Sequence, residues 1–267
     1  MRGERITSAT LAAMKRRGER IACLTCYDAA FARLLEAAGV EVLLVGDSLG
    51  MVLQGQPTTV PVKLEHMVYH TACVSRAAER ALLIADMPFL SYATEDRALA
   101  AAERLMGEGG ATMVKLEGGA ELADTVRRLT RFGAPVCGHL GLLPQSVHQL
   151  GGYRYQGKDA AGAARIEADA LALQEAGASL LVLECVPAAL AEQLSARLDI
   201  PVIGIGAGNR CDGQVLVLHD MLGLLPGRAP RFSRDFMAAG GGVADALARY
   251  VAEVKAGGFP GPDETRF

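Results

Sequence analysis

Five short apolar runs, each ending on a polar group able to do chemistry, constrain the fold of this chain more than any other feature. They read VLLVGDS to Asp47 and Ser48, LLIADMP to Asp86, TMVKLEGG with Lys115 and Glu117, PVCGHLG with His139, and LLVLECV to Glu184. Runs of four to eight Val, Ile and Leu bounded by turn residues fit strands buried on both faces, as in a parallel sheet. One acid at a strand end is readily explained as a helix cap. Several at the same end of successive parallel strands open onto one face, where a closed α/β barrel keeps its active site.

Helix-like stretches alternate with the strand-like ones. An opening helix is expected over about Ser8 to Arg17, and others near Ala29–Ala38, Lys63–Arg80, Glu95–Gly107, Glu121–Arg131, Ala160–Ala176 and Ala188–Leu198. IACLTCYD, IPVIGIGAG and GQVLVLHDML bring the strands to about eight. This alternation predicts a single (β/α)8 TIM barrel over residues 1–267, with an N-terminal helix and a C-terminal helical extension from about Phe232. An open doubly wound sheet is the alternative, because spacing alone does not show closure. Two connections exceed what alternation needs, Leu49–Val62 and Leu142–Asp159. Long ordered loops in compact domains tend to be lids or binding loops, and both should overhang the same face.

Half of the 267 residues are apolar (51%) and 21% are charged, which favours a large core over disorder. A net charge of −3 offers no general attraction to nucleic acid or anionic membranes. No run approaches the roughly 18 apolar residues of a membrane span, and charges such as Glu4 and Glu19 argue against a leader. Six scattered cysteines inside apolar runs suit buried thiols, and together these features predict a cytoplasmic protein. Cys23 and Cys26 form a C-x-x-C, but residues three apart on a strand point to opposite faces, and no second pair completes a zinc site.

Asp47, Asp86 and Glu117 offer hard oxygen ligands suited to Mg²⁺. Clustered, they need a cation or a raised proton affinity to offset their repulsion; singly, each could cap the helix that follows. Lys115 lies two residues before Glu117, so both share one side of an extended strand, where the lysine needs an anionic substrate or an ion-pair partner. Glu184, in an otherwise apolar run, would be a desolvated general base or an acid paired with Arg or Lys. His139 could orient a substrate oxygen or satisfy backbone groups. His66 and His70 have i, i+4 zinc spacing but no third ligand nearby. GGYRYQGKD imitates a P-loop, yet Asp159 stands where the hydroxyl should be and no strand leads in. GIGAGNRCDG is a weak dinucleotide-loop or phosphate-loop match.

The segments LTCYD, VGDSLGM, TTVPV, ADMPF, MVKLEGG, PVCGHLGLLPQSV, GGYRYQGK, LLVLECVP and IPVIGIGAG, in that order, closely resemble the ketopantoate hydroxymethyltransferase family across roughly Ile21 to Pro260. The resemblance implies a (β/α)8 barrel that moves a one-carbon unit from 5,10-methylenetetrahydrofolate, a co-substrate, to 3-methyl-2-oxobutanoate in pantothenate synthesis. It implies Asp47, Asp86 and Glu117 as Mg²⁺-associated acids. Asp47, Ser48, Asp86 and Lys115, with His139 beside them, are the expected substrate contacts, and Glu184 the proton acceptor. Cytoplasmic homo-oligomers, commonly decamers, are also implied. A Mg²⁺-dependent lyase or mutase of the phosphoenolpyruvate mutase and isocitrate lyase type uses the same enolate chemistry and is the alternative. A non-catalytic metabolite-binding barrel is a third reading, though converging acids, a lysine and a desolvated glutamate are costly for binding alone.

Overall fold

The eight apolar runs form eight parallel strands: β1 (Ile21–Thr25), β2 (Val42–Val45), β3 (Leu82–Asp86), β4 (Met113–Glu117), β5 (Val136–Gly141), β6 (Leu180–Glu184), β7 (Val202–Ile205) and β8 (Gly213–Leu216). Each bonds to the next, and β8 returns to β1 with Cys23 opposite Val215, so the sheet is closed and the open alternative is excluded. The computed structural model describes residues 4–225, 227 and 229–267; the first three residues of the expected 1–267 domain lie outside it.

Closure gives each strand two buried faces, which is why the runs are uniformly apolar rather than alternating. Outward residues such as Leu24, Leu43 and Leu83 pack beneath the helices. Inward ones, among them Ile21, Val42, Ile84, Cys137 and Val182, form a separate core inside the barrel. Cys23 belongs to the inner core and Cys26 to the outer one, so the C-x-x-C is split as expected.

The helices are α1 (Ser8–Arg16), α2 (Ala29–Ala37), α3 (Leu49–Val52), α4 (Leu64–Ser75), α5 (Glu95–Glu103), α6 (Ala123–Arg131), α7 (Val147–Leu150), α8 (Ala160–Glu175), α9 (Ala188–Arg197), α10 (Leu218–Met221) and α11 (Val243–Ala256). Leu11 and Met14 of α1 join the inner core, so this helix plugs the barrel at the N-terminal ends of the strands. Lys15 anchors the plug through Nζ to Ser195 O (2.7 Å), Ile200 O (3.0 Å) and Asp212 Oδ2 (2.8 Å). Asp28 and Asp159 cap α2 and α8 with their side chains. The cap explains Asp159 in the P-loop-like segment: its Oδ1 accepts from Gly162 N at 2.7 Å.

Two boundaries depart clearly from the sequence expectation. Helix α4 ends at Ser75 rather than Arg80, and the C-terminal helix starts at Val243, after an irregular stretch from Phe232. Among the described residues no helix joins β7 to β8, and α11 covers the neighbouring seam between β8 and β1, its Tyr250 hydroxyl 2.8 Å from Cys23 O and 2.9 Å from Gln214 O. Both long loops reach the same mouth, where the Tyr153 hydroxyl contacts Met51 Sδ at 3.6 Å.

Candidate active site

Strand register assembles the site. It sets Asp86 opposite Lys115, Glu117 opposite His139, and Gly141 opposite Glu184. Side chains at alternate positions point inward, so Lys115 and Glu117 both enter the barrel, as their spacing predicts. All seven expected residues, Asp47, Ser48, Asp86, Lys115, Glu117, His139 and Glu184, line one cavity of about 560 Å³ at the C-terminal mouth.

Lys115 is the hub. Its Nζ lies 2.7 Å from Asp86 Oδ1, 3.3 Å from His139 Nδ1 and 4.0 Å from Glu117 Oε1, so its ion-pair partner is Asp86 more than Glu117. Burial works against its charge, but Asp86, Glu117 and Asp47 outweigh it and raise the pKa above that of an ordinary ammonium. None of the three acids caps a helix: the following helices use Thr94 or have caps without a side-chain bond, and Asp86 Oδ2 accepts from Asp47 N at 3.0 Å.

Gln145, which sequence reasoning missed, ties the acids together. Its side-chain amide donates to Asp47 Oδ2 (2.8 Å) and Met87 O (2.9 Å), and its backbone N–H donates to Glu117 Oε2 (3.0 Å). The Tyr92 hydroxyl, also unforeseen, donates to Gln145 Oε1 at 2.6 Å. The only sequence signal was that Gln145 sits in a long loop following a strand with a candidate residue. Tyr27 was missed too; its hydroxyl is 2.9 Å from Ser48 Oγ.

Glu184 has no Arg or Lys partner among the described residues; its Oε2 lies 3.3 Å from His139 Nε2. That approach falls short of a formed hydrogen bond and leaves Nε2 as a buried atom without one. His139 therefore serves neither backbone alternative but stands between Lys115 and Glu184. An ammonium only donates, so Nδ1 accepts from Lys115 and the ring proton sits on Nε2, facing Glu184. Burial, then the Lys115 charge, lower the His139 pKa and keep the ring neutral. Burial raises the pKa of Glu184, with His139 opposing the rise. The backbone at this rim is tightly set. Gly141 has φ +92°, and a Cβ there would lie 2.2 Å from Glu184 O; Cys185 adopts φ +48°, a costly conformation for a non-glycine residue.

Burial and the charges of Asp86 and Glu117 push the Asp47 pKa well above the usual carboxylate range, and Glu117 is raised chiefly by burial. Such carboxylates suit a hard divalent cation. Gly46 keeps the space beside them open, since a Cβ there would meet Ser48 Oγ at 2.8 Å and Asp86 Oδ2 at 3.5 Å. The donor chemistry thus fits Mg²⁺. Among the described residues, however, no three His, Cys, Asp or Glu side chains converge as a ready ligand cluster: Glu117 is held by the Gln145 backbone instead of closing on Asp47 and Asp86.

The zinc-spaced histidines are not a site. His66 Nδ1 accepts from Lys63 N at 3.2 Å, and His70 Nδ1 is 2.8 Å from Tyr27 O. All six cysteines are free thiols, and burial pushes Cys26 up to about 12.

The sequence model of the ketopantoate hydroxymethyltransferase family matches residues 5–262. The chain is 61% identical over 98% of its length to the 3-methyl-2-oxobutanoate hydroxymethyltransferase of Halorhodospira halophila, covering 94% of that relative. It is 62% identical over 96% of its length to the enzyme of the same name from Methylococcus capsulatus, covering 95% of it. Solved structures share the fold at low identity. A phosphonopyruvate hydrolase complexed with oxalate and Mg²⁺ has a TM-score of 0.62 at 12% identity, over 79% of this chain and 81% of that one. A phosphoenolpyruvate phosphomutase from Streptomyces platensis has a TM-score of 0.61 at 14%, over 82% and 83%.

Proposed function

Because the chain belongs to the ketopantoate hydroxymethyltransferase family, we propose that it transfers a hydroxymethyl group from 5,10-methylenetetrahydrofolate to 3-methyl-2-oxobutanoate, forming 2-dehydropantoate. The observation that carries this reading is the line Asp86–Lys115–His139–Glu184, buried except where Glu184 meets the cavity, which sets an anion-binding cation and a carboxyl of raised pKa in one cavity. Asp47, Asp86 and Glu117 would hold a Mg²⁺ ion. When bound, that ion supplies Lewis-acid stabilisation of the charge that moves onto the keto oxygen.

The protein's own residues do the rest. A C–H beside a ketone is far less acidic than a carboxyl; a gap of about 15 pKa units is on the order of 20 kcal/mol at 1.36 per unit. Glu184 is the proton acceptor at C3, and burial makes it a stronger base than a solvated glutamate. Lys115 and Ser48 hold the substrate carboxylate and keto group. The carbanionic C3 then attacks the folate methylene carbon as its bond to one folate nitrogen breaks; one water displaces the other nitrogen and supplies the hydroxyl oxygen, and tetrahydrofolate leaves with the two protons, one from Glu184 and one from that water.

Turnover of both substrates by purified protein, with and without EDTA, tests the reading; no product at saturating Mg²⁺ would sink it. Folate-independent cleavage of a 2-oxo acid would instead support the lyase or mutase chemistry. Glu184→Gln should abolish exchange of the C3 deuterium while substrate still binds, and retained exchange would place the base elsewhere. We also infer a cytoplasmic homo-oligomer. Six unpaired thiols suit a reducing compartment, and among the described residues no helix is long and apolar enough to cross a membrane. Light scattering giving a monomer mass would contradict the assembly.

A further inference from the structure

One acid in the cavity takes no part in the proton transfer. Asp220 follows β8 on α10, lines the same cavity as Glu184 and Asp86, and is only 9% exposed. Among the described residues its carboxyl has no hydrogen bond and no ion pair. Helix capping does not explain it, because the cap of α10 is Val217 and makes no side-chain bond. Its oxygens are not sealed inside the protein but open onto the cavity, so a carboxylate without protein donors is left free to accept from a bound ligand in place of water. Burial alone raises its pKa to about 6, which still leaves it an acceptor at neutral pH.

Its surroundings specify the partner. Leu216, Val217, Leu225, Pro230 and Phe232 line the same cavity and give an apolar wall able to cover a flat ring. The side is the substrate side: the Tyr27 hydroxyl, bonded to Ser48, feels the charges of both Asp220 and Asp86. A cavity of about 560 Å³ falls within the roughly 300–1,000 Å³ that houses drug-sized ligands, far more than a five-carbon acid fills. The space left over admits a larger co-substrate, and a flat ring with N–H donors along one edge would meet both the apolar wall and the free carboxylate.

We propose that Asp220 recognises the pterin ring of the reduced folate, accepting hydrogen bonds from its 2-amino group and N3–H while the ring lies against Leu216, Val217 and Phe232. Two parallel N–H donors on one ring edge match the two oxygens of a carboxylate, as a guanidinium does. The inference rests on the folate reading of the preceding subsection and assigns a residue to its co-substrate.

The test is steady-state kinetics of the full chain with each substrate varied in turn. In Asp220→Asn one acceptor becomes a donor facing a donor. The KM for methylenetetrahydrofolate should rise about ten- to hundredfold, the usual cost of losing a hydrogen bond to a charged group, while the KM for the oxo acid moves less than about twofold. An unchanged folate KM, or a loss confined to the oxo acid, overturns the assignment. In the wild type a tetrahydropterin fragment should compete with the folate, and its 2-desamino analogue should be about tenfold weaker or more; equal potency overturns the assignment without any variant. If the wild type consumes no folate at all, the functional reading itself falls. That outcome is distinct from folate turnover that ignores Asp220.

Discussion

Lys115 Nζ lies 3.3 Å from His139 Nδ1, and this contact decides which edge of the imidazole faces Glu184. With Nδ1 accepting, Nε2 carries the proton and addresses Glu184 Oε2 at 3.3 Å. One neutral ring thus links the cation that pairs with Asp86 on one side to Glu184, the proposed proton acceptor, on the other.

His139→Leu removes that donor. As the proposed proton acceptor Glu184 must be deprotonated; burial raises its pKa above the usual 4.5, and His139 opposes the rise. Losing the histidine lets the pKa climb further, so the acid limb of C3 deuterium exchange should move to higher pH. Exchange should then slow below the limb and recover above it. Rates measured across pH for both proteins check this; a limb that stays put or moves down would refute the pairing.

Gln145→Leu keeps the backbone donor to Glu117 but loses the amide that holds Asp47. Residues that orient ligands are typically worth about 10–100-fold in metal affinity. The Mg²⁺ concentration for half-maximal activity should rise by that order in a metal titration.

Lys115→Met leaves Asp86 buried and uncompensated. Breaking one partner of a buried pair costs about 3–5 kcal/mol, which urea unfolding should report. Mg²⁺ held by these acids, as proposed, would favour the folded chain, so saturating Mg²⁺ should restore more stability to the variant than it adds to the wild type. Equal Mg²⁺ shifts would argue against the ion meeting these acids.

Leu11→Ala hollows the plug beneath the barrel, where Leu11 is fully buried. The expected loss is about 2–5 kcal/mol, with KM values unchanged because the plug lies at the end opposite the site. Urea midpoints and kinetics together check it.

The strands and their chemical ends were legible because they are local. An apolar run with a polar last residue reports burial and position, and the two-residue period of a strand puts Lys115 and Glu117 on one side whatever surrounds them. Helix ends were less legible: α4 stops at Ser75, and the final helix begins beyond the expected Phe232 region. Gln145 and Asp220 lie within the segments PVCGHLGLLPQSV and GQVLVLHDML, but nothing there singles them out, since a loop glutamine and an acid after a strand are common.

By itself the sequence determined the kind of sheet, the parity of its inward side chains and the acids gathered at one rim. Tertiary structure decided that the sheet closes, that Lys115 pairs with Asp86 more than with Glu117, and that Glu117 is drawn to the Gln145 backbone. The physical reason is that burial pattern is written residue by residue along the chain. Register, closure and loop docking are hydrogen-bonded choices among residues far apart in sequence, 98 positions in the case of Gln145 and Asp47.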